Sequence, residues 1–490
     1  MSNELQAQTH GLLFLKKGGM ILNQVLLQAF YWEMNQGQYA EEYPEEQNLW
    51  QLLTQKAEEL TEIGFTALWL PPANKGKAGT YDVGYGTYDL WDLGEFDQQG
   101  TVRTKYGTKE ELEEAIAALH DQEIAVYYDA VLNHRLGADE SEVVELKSGE
   151  LAEVWTKFNF PGRDKYSTFE WDWQCFDGID WNQRTQQAGK YLFANKEWDQ
   201  SYAEDYIMGA DIDYQNPNVR KEIKKWGRWI VEEIDFDGFR LDASKHIDND
   251  FIAEFISDLE KNSAKELFFA GESWEEDPDS LIAYLEQVGQ EELKVFDFAL
   301  RNEFTKLRDG NLDLRWLGGA GLVNQVGYEE RAVTFVDSHD TDREDENKAI
   351  SKRKQQAYTY ILLREDGIPC VYWKDYYIWG LKPDLDKLIA ARHKYAYGTG
   401  YETNTNDYHT YSYIREGTAE VTNSGLVMMI TQSETGELIT KKINSCQPQT
   451  TFYDYTGNVS GTVTTDNNGR GEFKVKASAD KGWSVWVPKN

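Results

Sequence analysis

Apolar and polar positions follow two different periods along this chain. Eight short apolar runs, at residues 25–32, 66–70, 124–131, 238–242, 267–272, 295–300, 332–337 and 369–373, have the length of buried strands. Between them, apolar residues recur at three- and four-residue spacing. Leu112, Ile116 and Leu119 make one such stripe in "TKEELEEAIAALH", which opens on Thr108 with Glu111 three residues on, a capping box. Leu49, Leu53, Ala57 and Leu60 make another, and Gly64 ends it. Val219, Ile223, Trp226 and Ile230 line one side of a helix that starts behind Pro217. Strand–helix alternation predicts parallel strands with right-handed crossovers. Eight repeats are the number that closes a (β/α)8 TIM barrel of the α/β class.

Two stretches break this rhythm. Residues 135–213, after the third strand, are rich in Trp, Tyr, Phe and Asp but poor in helical stripes, and are too long for an ordinary loop. They read as a subdomain inserted at that strand's C-terminal end. Past residue 395, short runs such as "YHTYSYI", "SGLVMMI", "TTFYDY", "GEFKV" and "WSVWV" alternate with Gly, Asn, Asp and Thr turns, the pattern of an antiparallel β-sandwich. The expected organisation is a loose extension over 1–19, a barrel over 20–134 and 214–394, the insert over 135–213, and the sandwich over 395–490.

Charge narrows the partners. Asp and Glu number 85 against 50 Lys and Arg, a formal net charge of −35. Such a surface repels nucleic acid and anionic membranes and suits a neutral substrate. It is equally a highly solvated surface. Cys175, Cys370 and Cys446 are odd in number and widely spaced, so neither a zinc site nor a disulfide framework follows. The first 25 residues lack the order of a signal peptide, and there is no apolar run of about 18 residues. A cytoplasmic, monomeric protein is the expectation.

Barrel active sites lie at the C-terminal ends of the strands. There this chain carries Asp129 with Asn133 and His134, then Asp242, then Glu272, then Asp337 and Asp340. A single Asp or Glu at such a place is ordinarily a helix cap. Four groups from four strands converging on one mouth would raise one another's pKa unless a cation compensates. Arg240 lies two residues from Asp242, so both side chains leave the strand on one face. It is expected to hold Asp242 ionised as a nucleophile, though such a pair also serves as a structural salt bridge. Glu272 sits among Phe268, Phe269, Ala270 and Trp274, and apolar surroundings would suit it to donating a proton. One ionised and one protonable carboxylate across a sugar–oxygen bond is the glycosidase arrangement.

Four ordered segments carry a resemblance: "DAVLNH" at 129–134, "GFRLDASKH" at 238–246, "GESW" at 271–274 and "FVDSHD" at 335–340. With "DVGYGTYDLWDLGEFDQQGTVRTKYGT" at 82–108, the chain from about Met20 onward resembles the α-amylase family of glycoside hydrolases, in particular the liquefying bacterial and cytoplasmic ones. The resemblance implies retaining, endo-acting cleavage of α-1,4 bonds in starch-like or glycogen-like glucans and maltodextrins. It makes Asp242 the nucleophile, Glu272 the general acid/base and Asp340 the carboxylate that binds and distorts the sugar. His134 and His339 would bond hydroxyls of that sugar, Tyr85 would stack beneath it, Arg240 would orient Asp242, and Lys245 and Trp274 would meet the next sugar.

The resemblance further implies calcium between barrel and insert, held by Asn133, Asp205, Asp211 and the carbonyl of His246. Asp177 and Asp199 resemble ligands of a second metal cluster, but the loop between Asp199 and Asp205 is short against that pattern. Ser338 stands where the family commonly has Asn, and "CVYWKDYYIWG" after strand eight departs from the usual Tyr-Gly-Asp/Glu ending, at the sugar-accepting end of the cleft. Two other functions share these motifs: a transglucosidase, in which a sugar hydroxyl displaces water, and a non-catalytic carbohydrate-binding homologue, which the retention of all three carboxylates disfavours.

Overall fold

A computed structural model describes residues 23–35, 47–199, 208–343, 348–403 and 406–489, together with the backbone of the short strands Glu4–Leu5, Leu15–Lys17 and Met20–Ile21. The expected loose extension over 1–19 lies largely outside the described residues.

Eight parallel strands close a barrel. They are β1 (Leu26–Gln28), β2 (Ala67–Trp69), β3 (Ala125–Ala130), β4 (Gly238–Leu241), β5 (Phe268–Gly271), β6 (Leu293–Phe296), β7 (Ala332–Phe335) and β8 (Ile368–Tyr372), each paired with its neighbours in chain order and β8 with β1. Parallel pairing puts all eight C-terminal ends at one rim. Arg240 on β4 pairs with Asp129 on β3 and Ala270 on β5, which sets the register of the mouth.

The helices follow their sequence signals. Leu49–Ile63 buries Leu49, Leu53, Ala57 and Leu60, and Gly64 ends it at φ 110°, a left-handed conformation that costs glycine little. Lys109–His120 carries the full Thr108–Glu111 capping box. Pro217–Glu232 is capped by Asn216.

One run read as a single strand is two elements. The apolar stretch 295–300 ends as strand at Phe296, because Asp297 accepts the Leu300 N–H at 2.9 Å and caps the helix Phe298–Asp309. Three further donations, from Arg301, Leu322 and Val323 N–H groups to the Asp297 carbonyl and carboxylate, fix that corner.

After β3 the chain enters strands rather than loop. His134–Arg135, Ala210–Ile212, Phe176–Asn182 and Gln187–Leu192 form a four-stranded antiparallel sheet, and Glu140–Glu145 pairs with Leu151–Lys157. Phe158, Trp171 and Phe176 form its buried aromatic core. Toward the C-terminus, a six-stranded antiparallel sheet and the pair Leu438–Asn444/Arg470–Lys476 enclose Ile443, Phe452, Phe473 and Trp486. The strand Leu438–Asn444 escapes a hydrophobicity reading because only Ile443 on it is buried.

Candidate active site

At the mouth, one guanidinium organises the carboxylates. Arg240 Nη1 donates to Asp129 Oδ1 at 2.7 Å and to Asp242 Oδ1 at 2.5 Å, and its Nη2 lies 2.9 Å from Glu272 Oε1. Asp129 is wholly buried beneath the opening, where Trp69 Nε1 and the Tyr85 hydroxyl also donate to it, at 3.0 and 2.7 Å. The strand alternation that places Arg240 and Asp242 on one face therefore aims the cation into an anionic cluster.

That cluster outnumbers its cation. Burial, together with Glu272, Asp129 and Asp340, raises the Asp242 carboxyl well above its ordinary range, and Arg240 only partly offsets this. The expected contact of Arg240 with Asp242 is present, and the guanidinium's positive charge is divided among three carboxylates. Burial and the Glu272 charge also push Asp340 up to about 7. The Asp340 carboxylate lies 3.2 Å from His339 Nε2.

Glu272 stands in a more polar setting than its neighbours in sequence suggest. Its Oε1 meets Arg240 and its Oε2 accepts the Ala243 N–H at 2.9 Å. Phe268 stacks on Tyr127 and Phe269 packs on Phe239, so these aromatic rings serve the core rather than the carboxyl. Ala243 can make its contact because it adopts φ 45°, ψ 35°, a left-handed conformation that strains a residue with a Cβ.

Two histidines complete the wall. His339 Nδ1 lies 2.9 Å from Gln28 Nε2, and its Nε2 lies 2.8 Å from the Tyr85 hydroxyl. With the Gln28 amide donating to Nδ1, the ring proton sits on Nε2, facing the mouth. His134 donates through Nε2 to the Tyr85 carbonyl at 2.9 Å. Burial holds both imidazoles neutral, His134 at about 4 and His339 well below its usual value.

A cavity of about 350 Å3 opens over this cluster. Of the residues singled out in the sequence, Tyr85, His134, Asp242, Lys245, His246, Glu272, Trp274, His339 and Asp340 line it. Arg240 lies beneath, and Lys245 is held at the rim by the Trp274 carbonyl and Glu275, at 2.9 and 3.0 Å. Trp274 stacks on Phe298, with ring centroids 4.6 Å apart. Trp32, Met208 and Ala243 also line the cavity and were not singled out. For Trp32 a signal existed: it closes the first apolar run, at the strand end that faces the mouth.

Asp337 does not join the site. It pairs with Lys354 at 2.7 Å and lies 3.4 Å from Arg301, and Lys354 also bonds the buried Asp375 at 2.5 Å. Ser338 shapes the turn that presents His339 and Asp340: its Oγ accepts from the Asp340 and Thr341 N–H groups, and its own N–H bonds Thr341 Oγ1 at 2.8 Å.

Of the residues expected to hold a metal, Asn133 and Asp211 are side by side, with Asn133 Nδ2 3.5 Å from Asp211 Oδ1 and both residues buried. An amide and a carboxylate together are oxygen donors of the type a hard cation takes. Gly178 pairs with Asp211 across the insert sheet, which sets Asp177 on the adjoining strand. Asp205 lies outside the described residues. Among the described residues, no group of three or more His, Cys, Asp or Glu side chains is placed to hold a metal ion.

A parallel barrel with paired carboxylates, a shared arginine and neutral histidines around one cavity is the apparatus of a glycoside hydrolase. Comparison with known proteins specifies which. The family profile "Alpha amylase, catalytic domain" matches residues 44–377, and "Alpha-amylase C-terminal" matches 430–487. The chain is 39% identical to an alpha-amylase of Geobacillus stearothermophilus over 96% of its own length and 88% of that protein's. It is 36% identical to the cytoplasmic alpha-amylase of Escherichia coli strain K12, over 95% of this chain and 99% of the other. Its fold matches the crystal structure of an alpha-amylase from Geobacillus thermoleovorans complexed with acarbose, with a TM-score of 0.66 at 18% identity over 96% of this chain and 98% of the other. The chain belongs to the α-amylase family.

Proposed function

We propose that this enzyme hydrolyses internal α-1,4 bonds of starch- or glycogen-type glucans and maltodextrins, with retention of anomeric configuration. The observation that carries the reading is the division of one guanidinium between Asp242 and Glu272, which holds two carboxylates together on the floor of the cavity. Close carboxylates leave no room for a water between nucleophile and sugar, as retention requires.

Asp242 attacks the anomeric carbon while Glu272 protonates the departing glycosidic oxygen, and a glycosyl–Asp242 ester forms. Water then gives its proton to Glu272, and the resulting hydroxide attacks the anomeric carbon and releases Asp242. The crowded cluster retains a proton near neutral pH. Arg240 stabilises Asp242 as it ionises. Asp340 and the neutral His134 and His339 bind hydroxyls and hold the ring distorted. Tyr85 offers it a face, and Lys245 and Trp274 receive the next sugar.

Calcium would suit the oxygen donors at Asn133 and Asp211, and the resemblance to the α-amylase family would add Asp205 and the His246 carbonyl as ligands. The ion would supply a fixed positive charge joining insert and barrel. The enzyme acts as a monomer in the cytoplasm. Support for the compartment comes from the cytoplasmic relative and from three unpaired cysteines. Among the described residues no helix is long and apolar enough to cross a membrane.

The test is incubation with maltoheptaose, products being resolved by size, beside Asp242→Asn. Shorter products from the parent and a loss of at least about a hundredfold in the variant are expected. Products longer than the substrate would mean transfer to a sugar hydroxyl instead of water. An active Asp242→Asn enzyme would overturn the assignment.

A further inference from the structure

Trp32 lines the cavity just past β1, and its surroundings form a chain of contacts reaching the end of β8. Its indole packs on Tyr85 and His339, with centroids 5.3 and 5.4 Å apart. The Arg343 guanidinium lies 5.1 Å from the same ring. The next residue, Glu33, meets Arg343 at 3.3 Å and Lys374 Nζ at 3.1 Å. Lys374 also donates to Asp342 at 2.7 Å, and Asp342 accepts the Tyr372 hydroxyl at 2.9 Å. Apart from Tyr85, which follows β2, these residues stand past or at the ends of β1, β7 and β8, which are neighbours in the barrel.

Exposure decides which contact holds the arrangement. The Glu33 and Arg343 side chains are 37% and 53% exposed, so solvent screens that pair. Lys374 and Asp342 are 15% and 1% exposed, so their contact is the firm one. Lys374 is thus the brace between three loops.

We propose that Trp32 is a wall against which a glucan ring packs, and that Lys374 is the positioning residue that fixes this wall and so sets affinity for a maltodextrin. The inference deepens the glucan-hydrolase reading and rests on it for the substrate class. A polar brace behind an aromatic face suits a sugar, whose ring presents apolar C–H groups to an indole while its hydroxyls reach the polar rim.

The test is titration of maltoheptaose into the full-length Glu272→Gln protein by calorimetry, which reads binding without turnover. In that background Lys374→Met is expected to weaken binding about tenfold. Lys374→Arg, which can still span Glu33 and Asp342, should stay within about threefold of the parent. Trp32→Leu should weaken binding as Lys374→Met does. Folded Lys374→Met protein that binds as tightly as the parent overturns the proposal. So does parental affinity in Trp32→Leu, which decides alone if Lys374→Met does not fold. Should the unsubstituted enzyme fail to cleave maltoheptaose while these variants still lose binding, the hydrolase reading falls and the wall stands.

Discussion

Arg240 and Asp129 stand in register on β4 and β3, and the guanidinium of one donates to the carboxylate of the other at 2.7 Å beneath the cavity. Asp129 is sealed from solvent and does not line the cavity. It sets where Arg240 points, and Arg240 sets where Asp242 and Glu272 stand. Removing Asp129 leaves Arg240 paired with Asp242 and Glu272 but takes the acceptor from the buried Trp69 and Tyr85 donors. Asp129→Ala should therefore lose about 1–3 kcal/mol of stability. Its kcat should fall at least about tenfold even below its melting point. Thermal melts and initial rates on maltoheptaose check both; an unaltered kcat in the folded variant would free Asp129 of any role in placing the guanidinium.

Asp340 links pH to stability through the same crowding. Its carboxyl is raised to about 7, so between roughly pH 4 and 7 the folded state holds a proton that the unfolded chain has released. Stability contributed by this residue is therefore lost as pH rises across that window. Asp340→Asn should be more stable than the parent at pH 8, by roughly 1–2 kcal/mol once partial solvent exposure is allowed for. The advantage should shrink toward pH 4.5. Denaturant melts at the two pH values give the comparison, and equal stability at pH 8 would contradict the proton count.

Strain at Ala243 offers a separate check. Its left-handed backbone directs an N–H at Glu272 Oε2. Ala243→Gly should raise stability by about 0.5–1 kcal/mol, since glycine adopts that conformation freely. It should also slow turnover several-fold, roughly, because the donor is held less firmly. Faster turnover with higher stability would mean that the strain has no part in placing Glu272.

For the metal, a chelator should lower both melting temperature and activity, and added calcium should restore them, because an ion bound only by the folded chain stabilises it. Asp211→Ala should blunt the calcium response. Metal-free protein, verified by elemental analysis, that melts and works like untreated protein would remove calcium from the account.

The barrel was legible because each strand is a continuous apolar run between striped helices, a pattern that parallel, doubly covered strands require. It failed at residues 295–300, where apolarity continues across a strand and a helix and only Asp297 marks the boundary. The strand Leu438–Asn444 was hidden by its polar exposed face. Asp242, Glu272, Asp340 and the two histidines could be picked out because short motifs at strand ends contain them. Two things could not: that Asp337, in the same motif as Asp340, turns away to Lys354, and that Glu272 meets Arg240 rather than its aromatic neighbours. Both depend on partners distant in the chain. Trp32 and Lys374 fall outside any motif, and their connection exists only once β1 and β8 lie side by side.

The proposed reaction is displacement of the leaving group by Asp242 on one face of the sugar, followed by displacement of Asp242 by water on the opposite face, two inversions that return the original configuration. Proton magnetic resonance recorded during the first minutes of maltoheptaose cleavage reads the anomeric form of the new reducing end before it equilibrates. The account predicts the α anomer first, with β appearing only at the rate of spontaneous mutarotation; β anomer formed first would contradict it.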